Sequence, residues 1–293
     1  MDVFEQIEFV FDDFEDELEE ELAKKGELEL EGIMTFEKAK QEFIEDFNKI
    51  KGKRYKTNRK GNTGIGKTFE DIVGVEENNN LPIDYKGFIE LKSQRAYTGS
   101  LLTLFTKSPN PYGVMARIRD TYGELDPKKG LTNILHSTAK HSSFNTYKGK
   151  LGFKLEIDRK NQKLLLHIKD LATGNLLFNH GDQVYWDLSD LQEIVETKCR
   201  NIAYVMGKSE KINGEEYFTF TKAVLLSGLT FESFLHLIEK DVIVFDIRHG
   251  THSNGTPHDH GPAFRIAVNF HDISSEILVK FSNSSRFRCI LYP

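Results

Sequence analysis

Apolar positions along the first fifty residues recur at helical spacing. Phe4, Ile7, Phe11, Phe14, Leu18 and Leu22 fall on one face, which predicts an amphipathic helix over 2–23 whose other face is almost wholly acidic. A second helix is predicted over 36–50, with Phe36, Ala39, Phe43, Phe47 and Ile50 inward and Thr35 as its N-cap. A third is predicted over 67–73, burying Phe69, Ile72 and Val73. The period then changes from about 3.6 to 2. Residues 87–92 alternate as a strand, with Ile89 and Leu91 toward a core and Glu90 and Lys92 together on the opposite face. Residues 101–107 form another strand, placing Thr103, Phe105 and Lys107 on one face. A helix over 112–122 carries Arg117 and Arg119, and 133–136 reads as a polar segment ending in His136.

From Leu151 strands dominate. Residues 152–158 and 163–169 read as a hairpin around the polar turn 159–162. A short strand over 184–186 precedes a helix over 188–199 that turns Leu188, Leu191, Ile194 and Val195 inward. Strands over 202–206 and 217–221 are joined through Asn213-Gly214, a hairpin-turn pair. A helix over 231–239 and strands over 242–248, 263–270 and 277–281 complete the chain, with no internal repeat and no low-complexity linker. The pattern predicts an α/β fold of mixed α+β type, as two lobes around a cleft. Its segments are an acidic helical extension (1–54), one lobe over 55–150, and a mainly β lobe over 151–293, the two lobes interleaved.

The 293 residues suffice for one large or two smaller domains with a real core. The net charge of −6 argues against a polyanionic partner until its distribution is considered. Residues 1–50 carry 18 acidic and 5 basic side chains, a balance of −13, which leaves +7 on the rest. DNA binding needs a local basic face rather than a basic total. The acidic helix is either a solvated face packed on the body or an arm that competes with DNA for that basic face. Only two cysteines occur, Cys199 and Cys289, far apart and outside any metal spacing, so a reducing, cytoplasmic setting is expected. No apolar run approaches membrane-spanning length and no signal sequence opens the chain, so no membrane partner is expected.

Residues 61–107 admit two incompatible chemistries. Gly61-Asn62-Thr63-Gly64-Ile65-Gly66-Lys67-Thr68 satisfies the G-x-x-x-x-G-K-[ST] pattern of a phosphate-binding loop. Such a loop follows a buried strand, whereas residues 51–60 here are basic and polar. The alternative is Asp84, Glu90 and Lys92, a D-x5-E-x-K set. Two carboxylates converging on one point make a hard oxygen site suited to Mg²⁺, and a lysine beside them can hold a water or balance phosphate charge. Spacing alone does not separate this set from an amphipathic edge with solvated charges. Glu70 is either a surface or capping glutamate or a further acid at the active centre. Lys107 is either a second cation near the phosphate or a strand-end lysine. The basic run at 49–60 is a solvated loop or a set of phosphate contacts.

Residues 246–265 hold four of the ten histidines, His249, His252, His258 and His260. A zinc site needs a ligand register that His258-Asp259-His260 lacks, and no cysteine accompanies it. A DNA-reading loop fits better. Arginine pairs with guanine O6 and N7, aspartate accepts from cytosine N4, and histidine can donate to a purine N7.

Residues 61–70, Glu90-Leu91-Lys92, the Ser100-Leu-Leu-Thr-Leu-Phe-Thr-Lys-Ser-Pro109 run, and later D-I-R-x-G and H-D-H-G-x-A-F-R-I closely resemble the MvaI/BcnI family of type II restriction endonucleases. These are relatives of the mismatch-repair nicking enzyme MutH, and the likeness spans roughly residues 55–281. The resemblance implies a PD-(D/E)XK nuclease core and Mg²⁺-dependent cleavage of double-stranded DNA. Asp84 and Glu90 would hold the metal, Lys92 would position the attacking water, and Glu70 would assist. Asp246, Arg248, His258, Asp259, His260 and Arg265 would read a CC-N-GG-type site, with Lys107 as a further DNA contact. The same resemblance implies a monomer with one active site and a protective DNA methyltransferase as functional partner. The rivals are a MutH-like nicking enzyme in repair, a P-loop NTPase, and a DNA-binding module without catalysis.

Overall fold

The computed structural model describes residues 34–61, 63–75, 83–96, 101–125, 133–177, 183–251, 257–259, 261–267 and 288–292. The helix expected over 2–23, the strand expected over 277–281, residues 268–270, His252 and His260 lie outside the described residues.

Helix α1 (Phe36–Ile50) opens where expected, with the Thr35 hydroxyl accepting from Lys38 N at 3.2 Å. It buries Ala39, Phe43, Phe47 and Ile50 along one stripe. Strand β1 (Arg54–Lys56) is short and largely exposed. Helix α2 (Gly64–Ile72) begins before the predicted 67, at Gly64, which lies too close to the Arg59 carbonyl to carry a Cβ. Strand β2 (Glu90–Arg95) begins later than the predicted 87. Lys86 and Gly87 sit at φ 51° and 79°, a left-handed pair that reverses the chain between Tyr85 and Ile89 instead of extending it.

The chain continues through β3 (Leu102–Thr106), α3 (Val114–Tyr122), β4 (Glu124–Leu125) and β5 (Asn133–Ala139). The last is a strand where the sequence reading has a polar segment over 133–136; it buries Leu135 and Ala139 and pairs with a later strand. The hairpin β6 (Leu151–Asp158) and β7 (Lys163–Asp170) follows, then β8 (Leu176–Leu177), β9 (Tyr185–Asp187) and α4 (Leu188–Lys198). Strands β10 (Asn201–Ile212) and β11 (Glu215–Ser227) run well beyond their apolar centres and meet at Asn213-Gly214, both at positive φ. Helix α5 (Phe231–Glu239), β12 (Ile243–Thr251), β13 (Pro257–Asp259), β14 (Ala263–Ile266) and β15 (Arg288–Tyr292) complete the described chain.

Among the described residues three sheets form. The first orders β1-β11-β10-β2, with β15 also on β11, and β2 pairs parallel to β10. The second orders β3-β14-β12-β5-β4, with β13 on β12. The third joins β6, β7, β8 and β9. One face of the first sheet (Ala203, Val205, Phe218, Phe220 and Leu225) packs with Phe43, Phe47 and Phe69 of the two N-terminal helices. Each of these rings contributes about 1.5–3 kcal/mol by leaving water. The other face (Ile202, Tyr204, Met206, Val224 and Leu226) joins a larger core shared with the other sheets, centred on Trp186, Phe245 and Phe264. Strand alternation then puts Leu91 with the helices, and Glu90 and Lys92 beside Ile202 and Tyr204 on the opposite face.

Candidate active site

The reversal at residues 85–89 returns Asp84 to the start of β2. Its Oδ2 accepts a hydrogen bond from Leu91 N at 2.9 Å, the amide between Glu90 and Lys92. Lys92 Nζ donates to Glu90 Oε1 at 2.5 Å, with the side chains 31% and 12% exposed respectively. The structure thus brings Asp84, Glu90 and Lys92 to one point. Burial pushes the Glu90 carboxyl above its ordinary range, against the pull of the Lys92 ammonium and with the help of the neighbouring Asp84 charge. An acid held this way binds a proton or a cation readily. The bonds described leave Asp84 Oδ1 and Glu90 Oε2 for another partner, and two such oxygens fit a hard divalent cation.

Glu70 lies half-buried on α2, the helix that packs against β2. Among the described residues no three His, Cys, Asp or Glu side chains form a metal-sized cluster, so Glu70 does not complete a three-carboxylate set with Asp84 and Glu90. Lys107 follows β3 and pairs with Asp190 at 2.9 Å, at the start of α4, rather than with the Glu90 group. The basic run is also engaged: Arg54 pairs with Glu210 and Lys56 with Glu215, each at 2.5 Å.

The phosphate-loop chemistry has no footing here. Thr68 is buried and its hydroxyl donates to Gly64 O at 2.7 Å, while Lys67 pairs with Asp71 at 2.7 Å. The segment opens a helix after an exposed edge strand, not after a core strand.

A second polar group lies on the sheet of β12 and β14. Asp246, 5% exposed, holds both arginines of the candidate reading set. Its Oδ2 accepts from Arg248 Nε at 2.6 Å, and Oδ1 accepts from the Thr138 hydroxyl at 3.1 Å. Arg265 Nε lies 2.8 Å from the same Oδ2 but out of line for a hydrogen bond, an electrostatic contact only. Arg265 instead donates through Nη1 to Thr103 Oγ1 at 2.5 Å. Burial holds its guanidinium below the ordinary arginine value, opposed by Asp246 and aided by the Arg248 charge. Arg248 is the more open of the two, with 40% of its side chain exposed against 11% for Arg265. Across the sheet from Arg248 stands His136, exposed on β5. His258 and Asp259 lie on β13, paired with Gly250 and His249 of β12, so the histidine-rich stretch returns onto the strand it leaves.

Two features escaped the sequence reading. His249 is buried, and Arg119 of α3, 3% exposed, reaches its Nδ1 at 3.4 Å and donates to Gly250 O at 2.9 Å. The signal was present: Arg119 falls in the apolar phase of Met115, Ile118 and Tyr122, where an exposed arginine would not sit. Tyr204, wholly buried, donates its hydroxyl to Thr103 O at 2.7 Å. Nothing in the local sequence separates it from an ordinary core tyrosine.

The MvaI/BcnI restriction endonuclease family matches residues 44–273. A solved complex of restriction endonuclease MvaI with its cognate DNA substrate is 33% identical, with a TM-score of 0.70, over 88% of this chain and 99% of that one. MvaI in the absence of DNA is 29% identical, with a TM-score of 0.50, over 88% of this chain and 98% of that one. A comparison with curated proteins returned no match.

Proposed function

The chain belongs to the MvaI/BcnI restriction endonuclease family, and from that premise we propose that it cuts both strands of DNA at a short G·C-rich site of CC-N-GG type in a Mg²⁺-dependent reaction. As a type II restriction enzyme it is a site-specific deoxyribonuclease. The observation that carries the mechanism is the fold-back of Asp84 onto the Leu91 amide, which sets one carboxylate beside Glu90 and Lys92.

Asp84 and Glu90 would hold the cation. Bound there, Mg²⁺ supplies Lewis-acid polarisation of the phosphate and acidifies a water. Lys92 then orients the attacking water and offsets charge building on the phosphate, held in place by Glu90 Oε1. Glu70, on the neighbouring helix, assists from outside the ligand pair. Attack is in line, and the 3′ oxygen departs as the new 5′ phosphate forms.

Base reading falls to Arg248 and Arg265 toward guanines, with Asp246, His258, Asp259 and His260 completing the set. Support comes from the placing of both arginines on one carboxylate and from the MvaI–cognate DNA complex, the solved relative described above. A single active site in a monomer cuts the two strands one after the other, and a methyltransferase of the same specificity protects the host.

The test is digestion of unmethylated DNA with Mg²⁺, with EDTA and Lys92→Ala controls, sequencing every new end. Discrete ends at one G·C-rich motif, absent from both controls, are expected. Cleavage surviving in either control overturns the mechanism, and persistently nicked circles overturn double-strand cutting.

A further inference from the structure

The candidate reading group and the candidate catalytic group lie on different sheets, yet one residue bonds a member of the first and a strand neighbour of the second. Thr103 of β3 accepts the Arg265 Nη1 hydrogen bond on its hydroxyl at 2.5 Å. Its backbone carbonyl accepts from the Tyr204 hydroxyl at 2.7 Å. Tyr204 stands on β10 directly beside Lys92 of β2 in the parallel pairing, with Ile202 beside Glu90. Its ring is buried, and Glu90 and Arg265 are both near enough to act on its hydroxyl electrostatically. Leu101 O, two residues away on the same segment, is a second and longer acceptor for Arg265 at 3.5 Å. The strand register also breaks here: a shift falls between Phe264 and Arg265 opposite β3, so Arg265 pairs with Thr103 just beyond an irregularity in the ladder.

Arg265 is therefore tied to β3. Its Nη1 is held on Thr103 and Leu101, and a guanidinium has further N–H groups with which to pair a guanine. The placing of Arg265 is thus fixed through β3, and β3 in turn holds Tyr204 beside Lys92. We propose that Thr103 is a positioning residue that couples base reading by Arg265 to the geometry of the Glu90–Lys92 site. Correct recognition is then required for fast chemistry as well as for tight binding. The proposal rests on the reading of Arg265 as a base contact. Through Thr103, strain at a wrongly read base would be felt at the catalytic site, so that binding energy from the right sequence favours the reactive geometry.

The experiment separates binding from chemistry. Thr103→Val removes the hydroxyl, Tyr204→Phe removes the other bond, and Thr103→Ser keeps the hydroxyl. Each full-length variant is bound in EDTA to a duplex carrying the mapped cleavage site and to one with a single G·C pair replaced. Single-turnover cleavage is then started with Mg²⁺. Thr103→Val and Tyr204→Phe are expected to bind the site duplex within about twofold of the parent and to cut it roughly tenfold more slowly, within the range of coupling between sites. Cutting of the altered duplex stays the same, so discrimination in the chemical step shrinks, and Thr103→Ser restores it. Equal slowing on both duplexes, or no slowing, overturns the proposal in favour of plain packing. Should Thr103→Val not fold, Tyr204→Phe carries the test alone. Arg265→Lys examines the underlying reading separately. Loss of binding preference for the site duplex supports it, whereas a retained preference removes Arg265 as a reader and the coupling with it.

Discussion

Asp84 Oδ2 lies 2.9 Å from the backbone amide of Leu91, the residue between Glu90 and Lys92. One hydrogen bond thereby fixes where a loop carboxylate stands relative to a strand. The bond needs only an acceptor, whereas the proposed cation needs a charge, and the two roles can be parted. Asp84→Asn keeps an oxygen for the Leu91 amide. It is expected to change unfolding free energy by less than about 1 kcal/mol while lowering Mg²⁺-dependent cleavage by on the order of a hundredfold or more. Urea unfolding beside single-turnover cleavage decides it. A variant that cuts at the parental rate would remove Asp84 from the metal site.

Glu90 carries a pH signature. Its carboxyl is raised above 4.5, chiefly by burial. A raised acid binds protons more tightly folded than unfolded, so its contribution to stability is complete below the unfolded pKa and is lost as pH rises through the folded one. In EDTA the parent should therefore lose thermal stability relative to Glu90→Gln as pH rises above 4.5. Cleavage by the parent should rise over the same window, since a cation needs the carboxylate. Parallel melting curves for the two proteins across that range would contradict it.

Asp246 holds two arginines while accepting from Thr138, and removing its charge leaves cations without their partner. Asp246→Leu is expected to destabilise by about 3–5 kcal/mol, as for breaking a buried pair. Asp246→Asn should fold better but lose preference for the cognate site, because the arginines are no longer pinned to one point. Competition binding between site and non-site duplexes measures this. Unchanged preference in the Asn variant would mean that the arginines are oriented by something else.

Arg119 supplies the Gly250 carbonyl with a donor inside the protein. Arg119→Leu strands that carbonyl and should cost about 1–3 kcal/mol in stability. Asp120, a further partner of Arg119, is 58% exposed, so Asp120→Ala should lie within about 1 kcal/mol of the parent. Chemical denaturation of the two variants side by side distinguishes an anchor at Gly250 from a surface ion pair, which would give similar small losses.

Much of this protein is legible in one dimension because the physics there is local. The stripe Ala39, Phe43, Phe47 and Ile50 specifies a helix face wherever it packs, and Thr35 caps it without help from the rest of the chain. The alternation of Ile89, Glu90, Leu91 and Lys92 puts both charged residues on one side of a strand, and the family likeness of the surrounding motifs is a property of the string itself. Tertiary structure decided what depends on partners far away in sequence. The β5 strand carries few apolar residues and exists because β12 pairs with it more than a hundred positions later. The phosphate-loop pattern is satisfied letter by letter, yet Thr68 and Lys67 are spent on Gly64 and Asp71. Asp246 reads along the chain as one more base contact, but folding buries it between Arg248 and Arg265, and Thr103 acquires its place only where two sheets meet. A side chain's type and period are set by its neighbours in sequence, whereas its charge state and bonding partners are set by whatever the fold brings within a few ångströms.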